Sequence, residues 1–344
     1  KSPVREFWLE LLNFVRHPDG RMAADMGLCC LPGTRILCAD GPVPIENAAK
    51  GDLVLTHRGG LRKVATTFRR QYDGDAIQLG IVGSSWPLAV TRGHPIWAKR
   101  RVHARDPQKF LRSLQRYAVR RAFPSEWVAA GSLRRGDWVA VPKRVELPQT
   151  PLSQEQLWAI GFWLAEGHYI RNPKRDMVGL GITNKNSERL RKWATIMRKW
   201  FPEDWTLVGQ GSTRHPKHRR SFSVLDHRIR GAKREIYELR FKSRPAAEFF
   251  LTNFGNGSGK KKLSSEIYQT SGLLPLVAGF IDGDGTQRWN ADRDVGLCTT
   301  SQSLVEQLRQ ILLDSGIWCT LQRCKRDVPH RTLYSLNIRS SYSH

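Results

Sequence analysis

The sequence Leu-Val-Ala-Gly-Phe-Ile-Asp-Gly-Asp-Gly at residues 276–285 decides the fold, together with its weaker twin Ala-Ile-Gly-Phe-Trp-Leu-Ala-Glu-Gly at residues 159–167. Each predicts an apolar helix whose last turn carries an acid followed by glycine. A carboxylate at a helix C-terminus faces the negative end of the helix dipole, which is unfavourable by about 0.3–1 kcal/mol. The pattern therefore calls for a compensating positive charge near Glu166 and Asp284.

A divalent cation bound by both acids would supply this positive charge. Mg²⁺ binds carboxylate and water oxygens and usually keeps several of its waters. Small residues leave one face of each helix bare, so the two backbones can approach closely and bring Glu166 near Asp284. These small residues are Ala159, Gly161, Ala165, Ala278, Gly279 and Gly283. Two carboxylates that share metal ions are typical of phosphodiester hydrolysis, in which the metal activates water and stabilises the leaving oxygen.

The paired stretches resemble the signature helices of LAGLIDADG homing endonucleases, in which the final acid of each motif binds the catalytic metals. One copy alone would be typical of a buried helix with a glycine cap. Here the two acids lie 118 residues apart (284 minus 166), and similar strands and helices follow each. The resemblance implies an α+β domain over residues 146–344, with two repeats, antiparallel saddle-shaped sheets and paired central helices. It also implies Mg²⁺ at Glu166 and Asp284, a double-stranded DNA partner and a monomeric protein.

Local signals place the elements of this domain. Ser153 and Gln156 predict a capping box at the start of the first signature helix. The next predicted helix spans residues 187–200. The second repeat predicts a helix over residues 303–313 and strands over residues 295–300, 318–324 and 333–338.

The chain is strongly basic, with 56 Lys and Arg against 31 Asp and Glu and a net charge of +25 over 344 residues. Such an excess indicates a polyanionic partner, and nucleic acid is the usual one. The Arg-, Lys- and His-rich segment 209–234 is either a solvated loop or a DNA phosphate contact, with Arg214, Lys217, Arg219 and Arg220 as the candidates. The family carries a lysine and an Ile-Pro between its motifs. Lys262 is the candidate for that catalytic lysine, although the Ile-Pro is missing.

A second set of motifs lies near the N-terminus. Cys29-Cys30-Leu-Pro-Gly-Thr precedes short strand-like runs, and Thr91-Arg-Gly-His94 follows later. Residues 127–139 repeat features of residues 45–54, including a Gly-Asp followed by valine. These blocks resemble the Hint domain of inteins, and the repeat suggests that fold's internal duplication. The resemblance implies an all-β splicing domain over residues 30–145, so the predicted fold class is mixed.

The Hint chemistry requires these residue types. A cysteine thiolate attacks the preceding peptide carbonyl and converts the peptide bond into a thioester. Cys29 has the commoner spacing to the Gly-Thr and Cys30 gives the commoner Cys-Leu-Pro start, so either can be the first intein residue, with a slight preference for Cys30. The resemblance assigns proton donation to the departing nitrogen to His94 and the supporting hydrogen bond to Thr91.

Residues 1–29 are predicted to be a host fragment. Ala-Asp-Met-Gly-Leu at residues 24–28 resembles the approach to the phosphate-binding loop of Snf-class helicases, and the expected Gly-Lys-Thr does not follow. The final residues carry no His-Asn before a Cys, Ser or Thr, so we expect an incomplete splicing domain. No run of 18 apolar residues and no signal peptide occurs, which predicts a cytoplasmic protein without a membrane segment. The rival functions are a catalytically silent LAGLIDADG-type DNA-binding protein, a cleavage-only Hint protein and a helicase.

Overall fold

The computed structural model describes two compact units of the chain. The first contains the described residues up to Cys38 and from Val43 to Pro142, and the second contains Ala39–Pro42 and the described residues from Lys143 onward. The division between Pro142 and Lys143 lies three residues before the predicted domain boundary. The described residues are 30–69, 71–84, 86–100, 124–172, 177–202, 222–225, 236–287, 295–326 and 331–338.

The first unit is built from short strands. One antiparallel sheet has the order β2-β1-β3-β4, a second pairs β5 with β6, and a third places β7 between β8 and β9. The strands are β1 Arg35–Cys38, β2 Gly41–Pro44, β3 Leu53–Leu55, β4 Leu61–Lys63, β5 Ala76–Leu79, β6 Leu88–Thr91, β7 Pro95–Lys99, β8 Glu126–Ala129 and β9 Trp138–Val139.

The sequence repeat in this unit is also a structural repeat. Each copy forms one turn of 3₁₀ helix, Ile45–Asn47 in the first and Ala130–Ser132 in the second. In each copy the aspartate of the Gly-Asp accepts a 2.8 Å hydrogen bond from the backbone three residues earlier, from Ala49 to Asp52 and from Arg134 to Asp137. The glycine before each aspartate has φ near +100°, a backbone conformation that favours glycine. The internal duplication therefore extends to backbone detail.

The second unit contains the same pattern twice. Each repeat runs helix, hairpin, helix, hairpin, and its four antiparallel strands have the sheet order first, second, fourth, third. The first repeat comprises α1 Gln154–Glu166, β10 Gly167–Asn172, β11 Met177–Asn184, α2 Ser187–Trp200, β12 Phe222–Leu225 and β13 Ile236–Phe241. After α3 Arg244–Phe254 and α4 Ser265–Tyr268, the second comprises α5 Leu274–Asp284, β14 Gly285–Gln287, β15 Val295–Thr299, α6 Gln302–Asp314, β16 Cys319–Cys324 and β17 Leu333–Ile338.

The two signature helices, α1 and α5, cross at a pair of glycines. A methyl group on Gly161 would lie 1.8 Å from the carbonyl oxygen of Leu276, and one on Gly279 would lie 2.0 Å from that of Trp158. Both contacts are related by the same offset of 118 residues, so the helix pair has a pseudo-two-fold axis. The small residues permit the close approach that the sequence predicts, although Ala278 itself is exposed.

The predicted capping box is present, since Ser153 and Gln156 each accept a hydrogen bond from the other's backbone N–H at the start of α1. The proline-rich segment 140–152 contains a buried arginine that is anchored within the second unit. Arg144 is 7% exposed, donates to Asp314 at 2.7 Å and to the Tyr268 carbonyl at 2.5 Å, and lies over the Tyr268 ring. An arginine can be buried in this way because its charge and its donors are satisfied.

Within the described residues, no helix is long and apolar enough to cross a membrane.

Candidate functional site

Glu166 and Asp284 are the last residues of α1 and α5, and the structure brings these two helix ends together. A methyl group on Gly283 would lie 2.5 Å from the Ala165 Cβ and 3.1 Å from the Glu166 Cγ, so α5 passes directly over the Glu166 side chain. Burial, followed by the negative charge of Asp284, raises the pKa of Glu166 to about 7. Partial burial also raises the pKa of Asp284. The two carboxylates therefore repel each other in a partly desolvated site.

Asn184 joins the two helix ends. Its Nδ2 donates to Glu166 Oε1 at 2.9 Å and to the Gly283 carbonyl at 3.4 Å, and its Oδ1 accepts from the Asn186 N–H at 2.8 Å. Asn184 is buried at the end of β11, where that strand leads into α2. This residue fixes one Glu166 oxygen, so the other oxygen is the one better placed for a ligand. Sequence reasoning missed Asn184, because an asparagine just before a helix usually has only a local capping role.

The donor set suits a hard divalent cation. Two partly buried carboxylates, one of which raises the pKa of the other, are stabilised in their ionised form when a cation lies between them. Among the residues that the structure describes, no three His, Cys, Asp or Glu side chains cluster as metal ligands. A metal at Glu166 and Asp284 would therefore take its remaining ligands from water and from substrate oxygens, as Mg²⁺ commonly does. The residues fit the predicted Mg²⁺.

Lys261, the neighbour of the predicted Lys262, contacts the end of α1. Lys261 is 6% exposed, and its ammonium donates to the carbonyls of Trp163 at 3.1 Å, Leu164 at 2.9 Å and Gly167 at 2.8 Å. Lys262 is exposed, whereas its neighbours Lys261 and Leu263 are buried. Burial lowers the pKa of Lys261 to about 8, and the charge of Glu166 opposes that shift. Lys261 thus supplies part of the positive charge that the end of α1 requires.

Arg189 has the same function at the end of α5. Its Nη1 donates to the Asp282 carbonyl, and its Nη2 lies 2.9 Å from Asp282 Oδ1. The other oxygen of Asp282 accepts a 2.8 Å hydrogen bond from the Trp158 indole on α1. Arg189 belongs to α2 of the first repeat but stabilises the helix of the second. Neither basic residue could be singled out among 56 lysines and arginines by spacing alone.

The predicted Hint residues come together in the first unit. Cys30 forms an antiparallel bridge with Val90, the residue before Thr91, and Thr34 donates to the Ala89 carbonyl at 2.7 Å. Thr91 is 1% exposed, and its carbonyl accepts the His94 backbone N–H at 3.0 Å. The His94 Nδ1 is buried without a hydrogen-bond partner among the described residues, and burial lowers the pKa of His94.

Several predicted residues fall outside the described part of the chain. They are Cys29, the DNA-binding candidates Arg214, Lys217, Arg219 and Arg220, and the segment 20–28 that resembles a helicase. The choice between Cys29 and Cys30 as the first intein residue therefore stays a prediction.

Models of two known families match parts of the chain. Residues 28–105 match a model of the Hint domain, and residues 273–343 match a model of the LAGLIDADG-like domain. These two segments are similar to the Hint and LAGLIDADG-like families. The predicted mixed fold class, a β-rich Hint region followed by an α+β LAGLIDADG-like unit, is confirmed.

The chain is also similar, at low sequence identity, to curated proteins and to solved structures. The ATP-dependent DNA helicase Hel308 of Thermococcus kodakarensis is 24% identical, with 87% of this chain and 28% of the relative covered. The iron-sulfur cluster assembly SufBD family protein Rv1461 of Mycobacterium tuberculosis is 27% identical, with 85% and 33% covered. The chain thus spans about a third of these relatives' length. The structure of I-DmoI with DNA and Mn matches at TM-score 0.36 and 14% identity, covering 54% of this chain and 89% of that one. The homing endonuclease I-WcaI bound to its DNA recognition sequence matches at TM-score 0.37 and 14% identity, covering 56% and 78%.

Proposed function

We propose that this chain is an intein-type protein whose second unit is a homing endonuclease that makes a Mg²⁺-dependent, site-specific double-strand break in DNA. The observation that carries the proposal is the convergence of Glu166 and Asp284 at the ends of two pseudo-symmetric helices. Each helix belongs to one repeat, so each repeat contributes one acid to a shared centre. A duplex has two scissile strands related by an approximate two-fold axis, and this arrangement matches that symmetry. The two repeats lie in one chain, which suits a monomer and an asymmetric target.

The side chains would divide the work of the reaction as follows. Glu166 and Asp284 would hold the cation, and Asn184 would keep one Glu166 oxygen in place. Lys261 and Arg189 neutralise the carbonyl-rich helix ends, so both acids ionise more readily when the cation binds. The metal, when bound, lowers the pKa of a water and stabilises the charge on the leaving oxygen. The net charge of +25 favours phosphate contacts, and Arg214, Lys217, Arg219 and Arg220 are the proposed contacts in the segment 209–234.

For the first unit we propose an N-S acyl shift. The thiolate of Cys29 or Cys30 attacks the carbonyl carbon of the preceding residue and forms a C–S bond while the C–N bond breaks. The departing nitrogen becomes a free amine after His94 supplies its proton. His94 gives this proton from its imidazolium form after taking up the proton that the cysteine thiol loses, and a pKa lowered by burial makes the imidazolium a ready donor. Thr91 would position the scissile peptide by a hydrogen bond.

The test is cleavage of plasmid DNA that carries the host coding sequence without the inserted segment. Purified wild-type chain with Mg²⁺ should linearise the plasmid at one position, and EDTA should abolish cutting. Glu166→Gln and Asp284→Asn should each lower the rate at least a hundredfold while leaving DNA binding intact, and Glu248→Gln, which removes an exposed acid on α3, should cut normally. Tight, specific binding without cutting would overturn the nuclease and establish the silent DNA-binding alternative. Metal-independent cutting would overturn the proposed centre.

A further inference from the structure

The outer face of the first sheet, which points away from α1 and α2, carries a charged cluster. Along β11 and β13, Leu180, Ile182, Leu239 and Phe241 are buried toward the helices. Side chains alternate along a strand, so the residues between them lie on the opposite face. That face holds Gly181 and Thr183 of β11 and Glu238 and Arg240 of β13, and His168 of β10 lies opposite Gly181.

Glu238 holds Arg240 in a fixed orientation. The Arg240 Nε donates to Glu238 Oε2 at 2.9 Å, and the Arg240 Nη2 lies 2.7 Å from the same oxygen. The other carboxylate oxygen lies 3.5 Å from His168 Nε2. The Glu238 side chain is only 6% exposed, whereas that of Arg240 is 48% exposed. Nε and Nη2 of the guanidinium are thus held by a buried acid, while about half of the arginine side chain is exposed.

This geometry is suited to base recognition rather than to simple charge neutralisation. A planar guanidinium can donate two parallel hydrogen bonds to the O6 and N7 of guanine in the major groove. A lone carboxylate would repel DNA, and here its role is to fix the arginine. A residue that is already oriented loses less conformational freedom on binding than a free arginine does.

The pseudo-two-fold axis relates Arg240 to a different residue in the second sheet. Gly181 pairs with His168 on one side and Arg240 on the other. Gly296 pairs with Thr286 on one side and Asn337 on the other. Both glycines occupy the second strand of their sheet, and His168 and Thr286 each lie two residues after a metal-binding candidate. Asn337 therefore corresponds to Arg240, and Ser335 corresponds to Glu238. Leu336 between them is fully buried, so Ser335 and Asn337 lie on the outer face.

We propose that Arg240 and Asn337 are specificity-determining residues that read different bases at symmetry-related positions of one target. Arg240 reads a guanine in one half-site, and Asn337 reads an adenine in the other, because an asparagine amide pairs with adenine N6 and N7. The target is consequently asymmetric at that position. This inference rests on the proposed endonuclease function and adds the base preference of each half.

The test uses a target library in which positions of the cleaved site are randomised and the cut molecules are sequenced. Wild type should select guanine at one position and adenine at its symmetry mate. Arg240→Ala should remove the guanine preference, with about a tenfold to hundredfold loss on the guanine target. Glu238→Gln should weaken that preference and keep the adenine preference. Asn337→Ala should remove the adenine preference and keep the guanine preference. Arg191→Ala, an exposed arginine on α2, removes the same charge and should leave both preferences intact.

The outcomes separate the two proposals. If wild type cuts no DNA, the proposed function fails. If wild type cuts but Arg240→Ala and Asn337→Ala keep the wild-type preferences, this inference alone is overturned. An equal loss on all sequences for Arg240→Ala would show a phosphate contact and would also overturn it. Circular dichroism confirms that each variant is folded, and Arg240→Gln, which keeps a polar side chain, should relax the guanine preference as Arg240→Ala does.

Discussion

In the second unit, α1 and α5 are alike where they cross and unlike where they end. The crossing repeats one contact twice, Gly161 against the Leu276 carbonyl and Gly279 against the Trp158 carbonyl. At the ends, Lys261 donates to three carbonyls around Glu166, whereas Arg189 binds one carbonyl and one carboxylate beside Asp284. The symmetric crossing brings two acids together, and the asymmetric ends give each acid its own electrostatic surroundings.

The symmetric crossing gives the largest expected effect. Gly161→Ala and Gly279→Ala should each lower the free energy of unfolding by about 3 kcal/mol, because the added methyl group overlaps a backbone carbonyl that cannot move aside. The measurement is chemical denaturation of the full chain. Gly60→Ala is the matched control, since a methyl group there meets nothing within 4 Å. A clearly larger loss of stability at one glycine than at the other would contradict a symmetric crossing.

The end of α1 should be the next most sensitive. Lys261→Met leaves three carbonyls without their buried donor and should lower the free energy of unfolding by about 2–3 kcal/mol. Lys262→Met, one residue along and exposed, should change it by less than about 0.5 kcal/mol. Thermal unfolding of both variants checks this. Equal effects at the two positions would contradict the role given to Lys261.

Loss of the basic side chain at the end of α5 should lower the stability less than the loss of Lys261 at the end of α1. Arg189→Met removes the contacts to Asp282, but the Arg189 side chain is 41% exposed, so water can replace part of them. We expect a cost of about 1 kcal/mol, with Arg191→Met as the neutral control on the same helix. A cost as large as that of Lys261→Met would mean that the two ends are held equally tightly.

Features that depend on residues close together in the sequence could be predicted, and features that depend on residues far apart in the sequence could not. The signature helices, the capping box at Ser153 and the 187–200 helix follow from local periodicity and caps, and the structure confirms them. Asn184, Lys261 and Arg189 act across 18 to 99 residues, so no local pattern marks them. A run of three lysines at residues 260–262 does not show which side chain is buried, and the catalytic role predicted for Lys262 stays a prediction.

The smallest effect is expected in the first unit, where a buried polar group has no partner among the described residues. Burial lowers the pKa of His94 below its ordinary value of 6.5. Below pH 6.5 the unfolded chain therefore takes up this proton more readily than the folded chain, and stability falls as the pH drops toward the folded pKa. His94→Leu should flatten this part of the profile, measured as the unfolding midpoint between pH 7.5 and 5. Identical pH profiles for wild type and variant would show that His94 does not contribute.

The most direct test of the shared metal centre is Mn²⁺ binding, measured by electron paramagnetic resonance on the chain with its DNA target. Glu166→Gln and Asp284→Asn should each weaken Mn²⁺ binding at least tenfold, although the two acids lie on different helices 118 residues apart (284 minus 166). Lys262→Gln should bind Mn²⁺ as wild type does. Unchanged Mn²⁺ affinity in either acid variant would contradict a site that both helices build.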